Sequence, residues 1–141
     1  TERYGEYSKA GEFVYDHPHL WGSKRTGPDL QRVGAKYSNA WHFNHMYGPQ
    51  TMSPGSIMPA YDWLVEQQLD TTTTIAKINA MRTLGVPYPD GYEHQANRDA
   101  DEQAKAIAAD LKQNNVTVKS DKEIIALIAY LQRLGTDIKA K

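Results

Sequence analysis

Apolar and polar positions divide this chain into an irregular opening and a helical remainder. Over residues 1–37, Tyr4, Tyr7, Phe13, Tyr15 and Trp21 stand among Gly5, Gly11, Pro18, Gly22, Gly27 and Pro28 with no sustained helical or strand period. That texture predicts a wrapping loop with aromatic anchors. Ser38 and Asn39 are good N-cap residues and open a predicted helix over 40–47, stopped by Gly48-Pro49. Residues 48–61 carry Gly48, Pro49, Pro54, Gly55 and Pro59 and predict a loop whose path is set by turn chemistry. Ile75, Ile78, Met81 and Leu84 then recur at helical spacing and predict a helix over 71–84, ended by Gly85-Val86-Pro87. A turn over 87–91 leads to a predicted surface helix over 97–114, with a thin apolar stripe of Ala104, Ile107, Ala108 and Leu111. Asn114-Asn115 breaks it. The last predicted helix, 121–134, places Ile124, Leu127, Ile128, Leu131 and Leu134 on one face and ends at Gly135. Ser120 is its expected N-cap, with Glu123 completing a capping box. No segment alternates as a strand does and no repeat appears, so the expected fold class is mainly α.

Composition narrows the function classes. The 141 residues suit one domain, 1–141, with parts 1–61, 62–120 and 121–135. A net charge of −1, from 16 basic and 17 acidic side chains, argues against a general nucleic-acid binder. No apolar run approaches the ~20 residues that span a bilayer. The opening Thr1-Glu2-Arg3-Tyr4 has no initiator Met and no signal-peptide character, so we expect a soluble piece of a longer chain. No Gly-x-Ser-x-Gly setting and no phosphate-binding loop is present, and no catalytic residue is assigned. Asp99, Asp101 and Glu102 are expected on a solvated face near a helix start. Thr71 to Thr74 are expected to mark a helix N-terminus. His42 and His45 stand three apart on one predicted helix and could share a metal, but no third ligand stands at suitable spacing. The favoured reading is two partly exposed histidines. His17 and His19 flank Pro18 and are expected in a loop.

Two segments carry chemistry. Ser56-Ile57-Met58-Pro59-Ala60-Tyr61 puts a methionine on a loop in front of a proline. A low-spin haem iron in an electron carrier takes two axial ligands, commonly His and Met, and the soft thioether raises its potential. Pro59 restricts Met58 to extended conformations, and Pro54-Gly55 turns the chain toward it. Thr26-Gly27-Pro28-Asp29-Leu30 suits the opposite side. A ligand His needs its second ring nitrogen held by an acceptor, and a proline carbonyl in a rigid loop is a good one. Leu30 and Val33 could then pack on the porphyrin edge. Against this stands a cysteine count of 0, because a c-type haem needs Cys-x-x-Cys-His.

The order of Gly-Pro-x-Leu, a short helix, a Met-Pro loop and a terminal Ile-Ile-Ala-Leu-Ile-Ala-Tyr-Leu-Gln helix resembles class I cytochrome c. Three longer stretches, residues 2–13, 21–30 and 58–64, resemble the mono-haem subunit II of cbb3-type cytochrome c oxidases. The resemblance spans nearly the whole chain and is weakest over 65–118. It implies a cytochrome c-like domain lacking its N-terminal helix and haem-attachment segment, with a helical insertion at 62–120. It implies truncation after the Cys-x-x-Cys-His, with a membrane anchor further upstream. By that resemblance Met58 is the distal iron ligand and Pro28 offers its carbonyl to the absent His. Gly27, Leu30 and Pro59 complete the cofactor-binding set, with Arg25 and Trp21 as partners for a haem propionate or the haem edge.

The function so implied is electron transfer through haem c (His/Met), from a donor cytochrome c to the oxygen-reducing haem–copper subunit. The intact protein is expected at the bacterial inner membrane, facing the periplasm, among other oxidase subunits. The chain itself is expected to be non-catalytic and to hold no haem. One rival is a haem-free docking module on the same fold; another is a small metal-binding protein using His17, His19, His42 and His45. Loss of the usual partner helix is expected to leave the face of Ile124, Leu127, Ile128 and Leu131 in need of cover. Either other segments of the chain close over it or two chains pair as a homodimer.

Overall fold

A computed structural model describes residues 8–15 and 27–136. Among these every regular element is helical, and the sole β-type pairing is an isolated antiparallel bridge between Gln68 and Lys122. The chain is thus mainly α, as the sequence pattern predicts. It divides into two compact units, residues 1–37 with 131–141, and residues 38–130.

The larger unit begins with α1 (Asn39–Tyr47). Ser38 Oγ accepts the Trp41 N–H at 3.2 Å, the expected cap. The Gly48 N–H closes the helix on the Asn44 carbonyl. The structure then departs from the predicted loop, because α2 (Pro49–Met52) forms a single turn at once. Proline at the first helical position has the right φ and no N–H to leave unsatisfied, so Pro49 starts one helix as Gly48 ends another. A 3-10 turn over Asp62–Val65 follows.

Helix α3 (Thr74–Thr83) starts later than predicted. Asp70 Oδ1 accepts from the Thr72 N–H and Oγ1–H at 2.8 and 2.7 Å, which commits 70–73 to a turn. Helix α4 (Tyr92–Gln113) starts earlier than predicted. Its first turn has no apolar period to read, but Glu93 pairs there with Arg82 of α3 at 2.8 Å. That pair, with the Arg82 bond to the Pro89 carbonyl, joins the two helices across their turn. Asn39 of α1 donates to the Asp110 carboxylate of α4 at 2.9 Å.

Helix α5 (Glu123–Arg133) supplies the centre of the core. Ile124, Ile125 and Ile128 are fully buried with Leu111 of α4, and Ile107 of α4 is buried beside them. Ala40, Phe43 and Met46 of α1, with Leu64, Val65, Val116 and Val118, pack against them. Each such burial contributes roughly 1.5–3 kcal/mol. The face expected to need cover is therefore covered at Ile124 and Ile128 by segments of the same chain, and Ile125 adds a buried position that the single predicted stripe omits. The start of α5 departs from the predicted capping box. The helix begins at Glu123, and Ser120 stands ahead of it. The Glu123 N–H donates instead to the Gln67 carbonyl at 3.1 Å, so the segment beside the Gln68–Lys122 bridge satisfies the helix start.

The smaller unit is irregular, as predicted, with 3-10 turns at Ala10–Glu12 and Leu30–Arg32. Asp29 organises it. Its Oδ1 accepts the Gln31 N–H and caps the second turn, while Oδ2 accepts both the N–H and the hydroxyl of buried Ser8 at 2.6 and 2.7 Å. Arg32 pairs with Glu12 at 2.6 Å. The Gly34 N–H donates to the Leu134 carbonyl, and Gln132 accepts from Ala35 N–H and donates to the Tyr37 carbonyl. Backbone meets backbone closely here. A Cβ on Gly34 would lie 2.1 Å from the Leu134 oxygen, and one on Gly135 would lie 2.0 Å from the Gln31 oxygen. Gly135 also sits at φ +73, in the left-handed region glycine favours, and ends the last helix as predicted.

Candidate functional site: a braced Met-Pro loop

In the larger unit the loop that carries Met58 is held at both ends. Ser53-Pro54-Gly55-Ser56 is a β-turn closed by Ser56 N–H to Ser53 O at 3.0 Å, with Gly55 at φ +80. Proline followed by a positive-φ glycine is the chemistry of a type II turn. Gln50 of α2 donates through Nε2 to the Ser56 carbonyl at 3.3 Å. Ser56 Oγ in turn accepts the Met58 N–H at 3.2 Å. Downstream, the Tyr61 N–H donates to the Met46 carbonyl at the end of α1, at 2.8 Å. Met58 is half-buried and Pro59 is exposed. Ile57 is 85% exposed, a bare apolar side chain beside the methionine. Ser56 and Gln50 were not candidates from sequence. A Ser two residues before a Met in a Pro-Gly turn is a recognisable local bonding pattern, and it is the signal that could have found Ser56.

The other candidates lie in the smaller unit or outside the described residues. Gly27 and Pro28 are half-buried, beside the buried Asp29 that fixes the turn after them. Leu30 is 59% exposed and free to meet an apolar surface, whereas Val33 is already buried. Arg25 and Trp21 lie outside the described residues, as do His17 and His19.

The histidine pair departs from the expectation of two partly exposed rings. His42 is only 1% exposed, not partly exposed. Its ring meets Trp41 edge-on at 5.4 Å, while His45 stacks on the same indole at 4.5 Å with 14° between planes. Burial holds both imidazoles below the usual histidine range, and the nearby His45 lowers His42 further. Among the described residues no three His, Asp or Glu side chains gather as a metal site.

Met58 offers one soft thioether on a constrained loop, which suits an axial position. With no cysteine, these residues offer no thiol for covalent attachment. Met58 therefore suits one side of a haem, and no residue of this chain would attach the group covalently.

A mainly helical protein with a braced methionine loop is thus the class that fold and site define. The chain belongs to the family described as cytochrome c oxidase, mono-heme subunit/FixO, whose model matches residues 1–138. Membership implies a haem c in the intact protein, not covalently held by this chain, and association with other subunits of a cbb3-type oxidase. No curated protein matches the chain. No helix among the described residues is long and apolar enough to cross a membrane.

Proposed function

We propose that this chain is the electron-transfer part of a cbb3-type oxidase subunit, with Met58 as the distal axial ligand of its single haem. The observation that carries the reading is Met58-Pro59 on a loop tied to α1 and α2, in a family defined by one haem. When bound, the haem supplies one-electron chemistry. The residues of this chain hold and tune. Pro59 limits the backbone of Met58, and a thioether, being a weak ligand, gains from such restriction. Pro28, beside Gly27, would offer its carbonyl to a proximal His, and exposed Leu30 would supply an apolar contact for the haem. By the family resemblance Arg25 and Trp21, which lie outside the described residues, would serve a propionate or the haem edge.

In this reading electrons arrive from a donor cytochrome c on the periplasmic side and leave for the oxygen-reducing haem–copper subunit. No bond is made or broken on this chain. Residues 62–120 are read as a helical insertion and 121–135 as the terminal helix of a cytochrome c-like domain. The test is spectroscopic. In the haem-bearing subunit, Met58→Ala should abolish the thioether-to-ferric-iron charge-transfer absorption and lower the reduction potential. An unchanged spectrum excludes Met58 as the ligand.

A further inference from the structure

We infer that Ser56 is a positioning residue that holds Met58 ready for its axial ligand role, an inference that rests on the reading of Met58 as that ligand. All three polar groups of Ser56 are committed to this loop. Its N–H donates to Ser53 O, its carbonyl accepts from Gln50 Nε2, and its hydroxyl oxygen accepts the Met58 N–H. The last bond is the informative one. A β-turn closes through backbone alone and needs no hydroxyl at its fourth position. The Ser56 side chain reaches past the turn to the residue whose thioether is the donor.

Packing does not provide the same restraint. Ser53, Pro54, Gly55, Pro59 and Ala60 are exposed, and Ile57 is 85% exposed. With so little apolar burial, the path of the loop is set by turn chemistry and by few polar bonds. Met58 is then fixed on two sides, its N–H by the Ser56 hydroxyl and the peptide that follows by Pro59. A thioether competes poorly with stronger ligands, so the free energy that keeps its loop in place enters directly into how firmly it stays on the iron. Gln50 supports the same node from α2.

The test compares Ser56→Ala, Ser56→Thr, Gln50→Ala and Met58→Ala in the ferric haem-bearing subunit, titrated with imidazole while the thioether charge-transfer absorption is followed. Ser56→Ala should lower the half-displacement concentration on the order of five-fold, the equivalent of one ordinary hydrogen bond. Ser56→Thr, which keeps the hydroxyl, should stay near the parent. Gln50→Ala should fall between. In the 141-residue chain without haem, Ser56→Ala should speed amide exchange at Met58 by a similar factor and leave Ile128 unchanged.

Equal half-displacement for the parent and Ser56→Ala, with Met58→Ala losing the absorption, overturns the inference while the ligand assignment stands. An absorption that survives Met58→Ala overturns the ligand assignment, and the inference with it. Exchange that rises equally at Met58 and Ile128 marks Ser56 as merely structural and also overturns it.

Discussion

His42 shows how much one position can depend on its surroundings. Its place on α1 is local, but its near-complete burial is not: the Trp41 ring meets it edge-on, and α2 and α4 neighbour the helix. A buried imidazole is kept neutral, so its folded pKa lies below 6.5, as does that of His45, and burial is the main cause in both. In the unfolded chain both protonate near the ordinary value. The unfolded state therefore binds more protons in the window between the lowered folded values and 6.5. Stability is full above that window, falls as pH drops through it, and levels off below. The urea midpoint should fall as pH is lowered from about 8 to about 5. His42→Gln should flatten that decline; an equally steep one would show that other groups set it. The same lesson holds for Asp29, a buried carboxylate that accepts from Ser8 and Gln31 and so ties two distant segments of the smaller unit.

Among the elements, α5 carries the largest share of the core and is the one the sequence pattern described best. Ile124, Ile128 and Leu131 are buried on the predicted face, and Gly135 ends the helix. Ile125 was outside that stripe because periodicity marks one face, whereas α5 is covered more broadly. Ile128→Ala should cost about 2–5 kcal/mol, read as a lower urea midpoint at unchanged slope. In the smaller unit, the approach of Gly34 to the backbone of Leu134 leaves no room for a methyl group. Gly34→Ala should destabilise by roughly 1–3 kcal/mol and speed amide exchange at Ala35. Gly11→Ala, with nothing within 4 Å, is the matched control and should be close to neutral. Helix boundaries were legible where glycine and proline punctuate the chain, as at Gly48 and Gly85. They were missed where side chains form the boundary, as with Asp70 before α3 and the Arg82–Glu93 pair at the start of α4.

For the molecule as a whole, local signals determined the class. Helical periods, Gly-Pro stops and the lack of alternation made it mainly α, and the stretches 2–13, 21–30 and 58–64 carry the resemblance to oxidase mono-haem subunits, the family its model match shows. Of the candidate site, Met58 and Pro59 were legible because a proline constrains its neighbour whatever surrounds it. The brace around them was not, since Gln50 meets Ser56, and Tyr61 meets Met46, only after α1 and α2 have formed. Burial of His42 and Ile125, the Gln67–Glu123 start of α5 and the Gly34–Leu134 contact likewise waited on tertiary structure. The reason is physical: backbone propensity and turn chemistry act over a few neighbours and are written in order along the chain. Burial and long-range hydrogen bonds depend on which surfaces meet, and that is decided only when the elements pack.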